Sequence, residues 1–273
     1  MNEQSIGLTG VKNARELGGY AAADGRRVKR GKLLRTASLS RATKEDIRLL
    51  AEKYRISVIV DFRMDMEAEP EPDPEIGDAE YHRIAVMNQA ELEKLNANMA
   101  EMWELRETDF VRFLREALAM GIVSENMYID FLDSECGREG FARFLRFVID
   151  TPADHAVLWH CTSGKDRTGV AALLLLAVLG VDEKTALYDF TLTNEFNAKS
   201  IAASRALLEE NGITGDELDS MITILDGVKL QYMENAVAWM KKKYGSVTGY
   251  VTDVLHVSAE DIELLREKYL GNR

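Results

Sequence analysis

Residues 156–180, AVLWHCTSGKDRTGVAALLLLAVLG, place a short apolar run before a polar loop and a longer apolar run. The first run, 156–159, is typical of a buried strand, and the second predicts a buried helix. The loop between them contains a glycine, so several backbone N–H groups and the positive end of the helix dipole can converge on one point. The segment therefore predicts an anion-binding site between a strand and a helix.

Two residues of this segment suggest phosphate chemistry. Arg167 follows Cys161 by six residues, at the predicted start of the helix. Its guanidinium can bind two phosphate oxygens while the loop amides bind the others and hold phosphorus over the Cys161 sulfur. A positive environment of this kind favours a cysteine thiolate at neutral pH, and the Thr168 hydroxyl could donate a further hydrogen bond to the sulfur.

The composition excludes several classes of protein. The chain has 273 residues, 46% of them hydrophobic and 29% charged, which is typical of a globular protein of one large or two small domains. Its formal net charge of -12 argues against nucleic acid or an anionic membrane surface as the main partner. Two cysteines and four scattered histidines lack metal-ligand spacing, so no metal site is expected.

The sequence also predicts where the protein acts. The N-terminus has no signal-peptide pattern, and the longest apolar run, 170–179, is too short to span a bilayer. We therefore expect no integral membrane segment and a cytoplasmic location, with export without a cleaved signal left open.

Other segments predict the surrounding organisation. Thr43 is a candidate cap for a helix to about residue 54, and a strand is predicted at 57–60. Residues 65–80 contain eight acidic side chains and three of the four prolines, which predicts an exposed loop. Residues 89–120 predict two amphipathic helices broken near residues 108–109, which form either a cap beside the site or part of the core.

The segment HCTSGKDRTG, residues 160–169, resembles the H-C-x5-R-[ST] active-site loop of cysteine-dependent protein tyrosine phosphatases. Its interior, Gly-Lys-Asp at 164–166, resembles the bacterial branch that has dual-specificity and lipid-phosphatase relatives. NARELGG at 13–19 and DFR at 61–63 fit the same branch. The resemblance implies an α/β fold with a mostly parallel central sheet flanked by helices and one phosphatase domain over 1–273. Within that domain, the amphipathic helices give the candidate helical cap at about 88–126.

The same resemblance implies the roles of individual residues. Cys161 would be the nucleophile that forms a cysteinyl-phosphate, and Arg167 would bind phosphate and stabilise the transition state without a metal or organic cofactor. His160 would order the loop through hydrogen bonds. The phosphate-binding residues would be Thr162, Ser163, Gly164, Lys165, Asp166, Arg167 and Thr168.

Lys165 has two interpretations. It could place a second cation beside the phosphate, which would admit substrates with more than one phosphate. Alternatively, it could only offset Asp166 and the acidic surface.

The general acid is left open, because the Trp-Pro-Asp loop of many tyrosine phosphatases is absent. By resemblance Asp166 is the first candidate, and its alternative role is to cap the helix. Asp130, 31 residues before Cys161, is close to the spacing in compact dual-specificity phosphatases, although its surroundings look helical. Asp61 follows a strand and could point into the site, but it could also pair with Arg63 or Arg35.

The expected function is therefore hydrolysis of a phosphomonoester, with a phosphotyrosine protein as the first candidate substrate and dual specificity allowed. A phosphoinositide or inositol-phosphate phosphatase would use the same residues. Sulfur transfer by a rhodanese-like loop fits the Arg167-Thr168 helix start less well. A phosphate-reading binding module without turnover is disfavoured because both Cys161 and Arg167 are present.

Overall fold

The computed structural model describes residues 2–87, 104–105, 108–121 and 123–271. A five-stranded sheet has the order β1-β3-β6-β4-β5, and only β1 is antiparallel to its neighbour. A separate two-stranded ribbon pairs β2 with β7. The strands are β1 Arg15–Glu16, β2 Arg27–Val28, β3 Leu33–Thr36, β4 Ile56–Asp61, β5 Glu80–Arg83, β6 Ala156–His160 and β7 Leu270–Gly271.

Twelve α-helices surround the sheet in the described part of the chain. This confirms the predicted α/β class with a mostly parallel sheet flanked by helices. The helices are α1 Lys44–Arg48, α2 Asp65–Ala68, α3 Phe110–Ala119, α4 Met127–Asp133, α5 Glu135–Asp150, α6 Asp166–Val178, α7 Glu183–Phe196, α8 Ala198–Glu210, α9 Gly215–Leu225, α10 Leu230–Tyr244, α11 Val247–Asp253 and α12 Ala259–Tyr269. None of the helices described is both long and apolar enough to cross a membrane.

The central strand of the sheet is β6, and all five of its residues are buried. A parallel strand covered on both faces is expected to be apolar throughout, as the run 156–159 is. Helix α6 follows it and is buried on almost every side, because helices and sheet enclose it. The loop between β6 and α6 therefore lies at the carboxyl edge of the sheet, where ligands of open α/β sheets bind.

A smaller apolar cluster lies apart from the sheet and joins α3, α8 and α9. Asp109 begins α3 by accepting a hydrogen bond from the backbone N–H of Arg112, so the predicted break near 108–109 is a helix cap. The buried members of the cluster are Leu114, Leu208, Ile213, Leu218, Met221 and Ile222. Of the predicted cap at 88–126, residues 88–103, 106–107 and 122 lie outside the described residues, and the cap remains a prediction.

The acidic segment 65–80 differs from the exposed loop that its charge and prolines predict. It begins with the short helix α2, where Glu67 accepts a hydrogen bond from the backbone N–H of Met64 at 2.9 Å. Ala68 and Ile76 are buried at 2% exposure each. The prediction was wrong for α2, which ends before the first proline, Pro70. Residues 69–79 form a loop that is mostly exposed, as predicted, and the buried Ile76 anchors it.

Candidate active site

Cys161 follows the last residue of β6 directly and is buried, with 2% of its surface exposed. The loop of residues 161–165, hereafter the Cys161 loop, then leads into α6. Gly164 has a φ of +64°, and a Cβ there would lie 2.2 Å from the carbonyl oxygen of Thr36. Only glycine fits this conformation and this close approach, so the glycine of the motif sets the shape of the loop.

Arg167, in the first turn of α6, is held by a carboxylate from α2. Its Nη1 and Nη2 atoms donate to Oε2 and Oε1 of Glu67 at 2.6 and 2.7 Å, and Nη1 also donates to the Phe62 carbonyl at 3.1 Å. The hydroxyl of Thr162 donates to Glu67 at 2.6 Å. Burial opposes ionisation of Glu67, but the charge and hydrogen bonds of Arg167 outweigh it and lower the pKa of Glu67 to about 2.

Asp166 is the aspartate that lies within the first turn of α6, and 23% of its side chain is exposed. Its Oδ1 accepts a hydrogen bond from the hydroxyl of Tyr128 on α4 at 2.7 Å. Burial, with the nearby charge of Asp166, raises the pKa of Tyr128 well above its ordinary value, so the phenol stays a donor. No side chain caps the N-terminus of α6 at Lys165. The carboxylate of Asp166 therefore does not have the alternative role of a helix cap and binds Tyr128 instead.

Asp61 ends β4 beside His160, the last residue of β6. Arg63 donates to both of its carboxylate oxygens, and Tyr81 donates to Oδ2. Burial acts against the charged form, yet His160 and Arg63 lower the pKa of Asp61. A carboxylate held ionised in this way is a poor proton donor, so the geometry places Asp61 in an ion-pair network.

Asp130 lies on α4 with an exposed side chain. Burial and the neighbouring Asp133 raise its pKa. Tyr128, two positions earlier on this helix, is the residue that donates a hydrogen bond to Asp166. The 31-residue spacing thus selects α4, the helix that contacts Asp166, but the side chain that makes this contact is Tyr128 and not Asp130.

Lys165 is buried, and its ammonium faces backbone oxygens at the end of α9. Its Nζ donates to the carbonyls of Thr223, Ile224 and Gly227 at 2.5, 2.9 and 3.2 Å. An ammonium has three N–H groups, and these contacts use all of them. The expected second cation beside the phosphate is therefore not supplied by Lys165, whose side chain instead joins the loop to α9.

His160 is fully buried between two carboxylates. Its Nδ1 lies 3.3 Å from the Cys161 carbonyl oxygen and 3.6 Å from Asp61, and its Nε2 lies 3.1 Å from Asp73. Burial lowers the pKa of His160, but Asp61 and Asp73 outweigh it and raise that pKa. The oxygen and nitrogen atoms of this trio could surround a cation, and the guanidinium of Arg63 already contacts both carboxylates.

The hydroxyl of Thr168 does not make the predicted bond to sulfur. It is buried and has no hydrogen-bond partner within the described residues. The backbone of Thr168 is engaged, since its carbonyl accepts from Trp159 Nε1 at 3.1 Å. Ser163 is half-buried, and its carbonyl accepts a hydrogen bond from Asn13 at 3.3 Å.

Two residues close to this site, Glu67 and Tyr128, were not predicted from the sequence. Glu67 lies in the acidic segment that predicts an exposed loop, although its spacing from Met64 is that of a helix N-terminus. Tyr128 has no chemical signature of its own. Only the fold brings α2 and α4 to the Cys161 loop.

Comparison with known proteins agrees with this geometry. Residues 6–271 match the model of the tyrosine phosphatase family. The chain belongs to this family. It is 32% identical over 261 residues to a Cupriavidus necator protein assigned as a tyrosine-protein phosphatase, and this match covers 96% of the chain and 86% of that protein.

Two further relatives are more distant. A tyrosine-protein phosphatase of Nostoc commune is 26% identical over 241 residues, which cover 85% of this chain and 72% of that protein. The triple specificity protein phosphatase PtpB of Mycobacterium tuberculosis is 27% identical over 143 residues, which cover 49% of this chain and 51% of PtpB. The family assignment makes this protein a phosphatase of the tyrosine phosphatase family.

Proposed function

We propose that this phosphatase works through a cysteinyl-phosphate formed on Cys161. The Cys161 thiolate attacks phosphorus, the bond to the leaving oxygen breaks, and water later hydrolyses the S–P bond to release phosphate. One observation supports this most directly: the buried Cys161 lies between the end of the central strand and the start of α6, with Arg167 in the first turn. A helix N-terminus and a guanidinium both favour an anion at that position.

Arg167 is proposed to hold the phosphoryl group and to stabilise the transition state. A guanidinium has five N–H groups, and the contacts with Glu67 and Phe62 use three of them. A fourth, on Nη2, makes only a long contact of 3.5 Å with the Thr162 hydroxyl. Phosphate oxygens could take this N–H group and the one on Nε. Glu67 therefore fixes the guanidinium without consuming its capacity to bind phosphate.

Asp166 is proposed as the general acid, which protonates the leaving oxygen and then accepts a proton from the attacking water. It is half-buried, it lies next to Arg167 in the first turn of α6, and Tyr128 fixes its orientation. Of the three candidate aspartates, Asp61 is held ionised by Arg63 and Asp130 is exposed on α4. Asp166 is the remaining candidate within the loop–helix segment.

The proposed substrate is a phosphotyrosine-containing protein. Lys165 is the residue whose charge would admit substrates with several phosphates, but three carbonyls engage its ammonium. The triple specificity for which PtpB is named nevertheless justifies a parallel test of phosphoserine and of a phosphoinositide. Because a nucleophilic cysteine must stay reduced, we propose the cytoplasm as the site of action.

The first prediction concerns Cys161 itself. We expect Cys161→Ser to abolish phosphate release from a phosphotyrosine peptide while peptide binding is retained, because a serine hydroxyl at this position is not ionised at neutral pH. Release from phosphotyrosine, phosphoserine and phosphoinositide substrates would be measured in metal-free buffer. Cys136→Ser is the matched control, since Cys136 lies on α5 and its thiol contacts the Ala85 carbonyl. Turnover of Cys161→Ser at the rate of the unmodified enzyme would exclude the covalent mechanism.

A further inference from the structure

Three charged side chains lie together beneath the Cys161 loop with almost no exposure to solvent. Arg15 and Arg35 are 0% exposed, and Asp189 on α7 is 1% exposed. Arg15 Nε lies 3.2 Å from Asp189 Oδ1, and Arg35 Nη1 lies 2.6 Å from Oδ2. We call these three residues the Arg15–Asp189–Arg35 cluster.

The cluster has a net positive charge. Two guanidiniums share one carboxylate, and the ion pairs of the described residues include no second carboxylate for either arginine. Tyr20 also donates to Asp189, at 3.1 Å, but burial and Asp189 raise the pKa of Tyr20, so it adds no negative charge. Burial, with the charge of Arg15, lowers the pKa of Arg35 to about 10, which still leaves it charged at neutral pH.

The cluster is bonded to one peptide group of the Cys161 loop. Arg35 Nη2 donates to the Gly164 carbonyl at 3.0 Å, and Asn13 Nδ2 donates to the same oxygen at 2.8 Å. Arg15 in turn donates to the side-chain oxygen of Asn13. In a trans peptide the C=O and the following N–H point in opposite directions, so the N–H of Lys165 points away from the cluster.

A buried charge without a partner is strongly destabilising unless an opposite charge compensates it. The anions that the Cys161 loop would hold, a thiolate and a phosphate, are suitable compensating charges on the other side of the Gly164 peptide. Besides Arg167, the cluster is thus the candidate for the second positive charge near the phosphate, in place of Lys165.

We propose that Arg35 is a positioning residue, and that the Arg15–Asp189–Arg35 cluster orients the Gly164 peptide and stabilises the Cys161 thiolate through its net positive charge. This inference rests on the proposed function, in which Cys161 is the nucleophile. Other ionisable groups also surround the loop and stay constant in the variants below. They are Glu67, Tyr128, His160, Lys165, Asp166 and Arg167.

The test is the pH dependence of Cys161 alkylation by iodoacetamide in a Cys136→Ser background, so that one thiol reacts. Arg35→Met makes the cluster neutral, and we expect the alkylation midpoint to rise by about one pH unit, the lower end of the effect of one nearby charge. Asp189→Asn makes the cluster more positive, and we expect the midpoint to fall. Arg35→Lys retains the charge and should keep the midpoint of the unmodified protein.

These variants separate charge from packing. Arg15→Met removes the same charge as Arg35→Met but leaves the Arg35–Gly164 bond, so it should also raise the midpoint. Loosened packing would instead shift the alkylation midpoints of the two Met variants and of Asp189→Asn in the same direction. Circular dichroism would show which variants are folded, and if Asp189→Asn is not, the comparison of Arg35→Met with Arg35→Lys decides the question.

An unchanged alkylation midpoint in folded Arg35→Met would overturn the inference. Equal midpoints for Arg35→Met and Arg35→Lys would overturn it as well. Failure of the proposed function would be seen differently, as phosphate release by Cys161→Ser. The two failures are therefore distinguishable, because one is measured on the thiol and the other on turnover.

Discussion

Arg167 shows how one guanidinium is both charged and fixed in direction. Glu67 binds it through two parallel hydrogen bonds, and each side chain of the pair is less than one-fifth exposed. The pKa of Glu67 falls from its ordinary 4.5 to about 2. The pair therefore contributes its full stability above about pH 4.5 and loses it as the pH falls through about 2.

We expect Glu67→Gln to lower kcat/KM by about 10²-fold, because a misplaced binding group can cost that much. It should also lower the free energy of unfolding at pH 7, with a difference from the unmodified protein that shrinks as the pH approaches 2. Kinetics and urea unfolding at several pH values would check this. Glu69→Gln is the control on the same segment, and equal effects of the two variants would contradict the role of Glu67.

The hydrogen bond from Tyr128 to Asp166 leads to a second prediction about individual side chains. We expect Asp166→Asn to slow hydrolysis of a phosphate ester with a poor leaving group more than that of an activated aryl phosphate, because only the former needs a proton donor. Tyr128→Phe should show the same pattern with a smaller loss. The double variant should be no slower than Asp166→Asn alone, since the hydroxyl acts through the carboxylate. Additive losses would show that Tyr128 acts independently of Asp166.

Among the secondary-structure elements, the loop and the helix of the proposed anion site were predictable, whereas the elements that contact them were not. The order strand, Cys161 loop, helix is written in consecutive residues, so its geometry follows from local sequence. Glu67 reaches Arg167 from 100 positions away, and the contacts of Lys165 are to backbone carbonyls 58–62 positions away. Backbone acceptors have no side-chain signature, so sequence patterns cannot reveal which helix end a lysine will contact.

Lys165 joins two elements and gives a prediction at that scale. The end of α9 has carbonyls without intrahelical partners, and the ammonium satisfies them. We expect Lys165→Met to increase amide hydrogen exchange in residues 215–225 and to lower the melting temperature, because these buried oxygens lose their donor. Lys199→Met, at an exposed position on α8, is the control. Unchanged exchange in α9 would show that the contact does not stabilise the helix.

For the molecule as a whole, the His160 network links the acidic segment to the sheet, since Asp73 comes from residues 65–80 and Asp61 from β4. The pKa of His160 is raised above its ordinary 6.5. The protonated ring therefore contributes stability fully below about pH 6.5, and this contribution is lost as the pH rises through the raised value.

We expect the unmodified protein to lose more stability between pH 6 and pH 9 than His160→Gln does. The measurement is urea unfolding at both pH values, which lie about half a unit below and well above the ordinary histidine pKa of 6.5. His155→Gln, at a partly exposed histidine that contacts Asp154, is the control. Identical pH dependence of His160→Gln and the unmodified protein would exclude a charged His160.

The strand order also has a consequence for how the chain is made. β3 and β4 follow one another along the chain, but in the sheet β6 lies between them. β6 is synthesised almost 100 residues after β4. Pairing over such a separation makes folding slow, because a long loop must close before the central contacts form. A ribosome-bound chain that ends before residue 156 leaves one edge of β3 and one edge of β4 without their partner, and unpaired edges promote aggregation. The strand that closes this gap also positions Cys161, so a nascent chain acquires its central sheet and its proposed nucleophile in the same step.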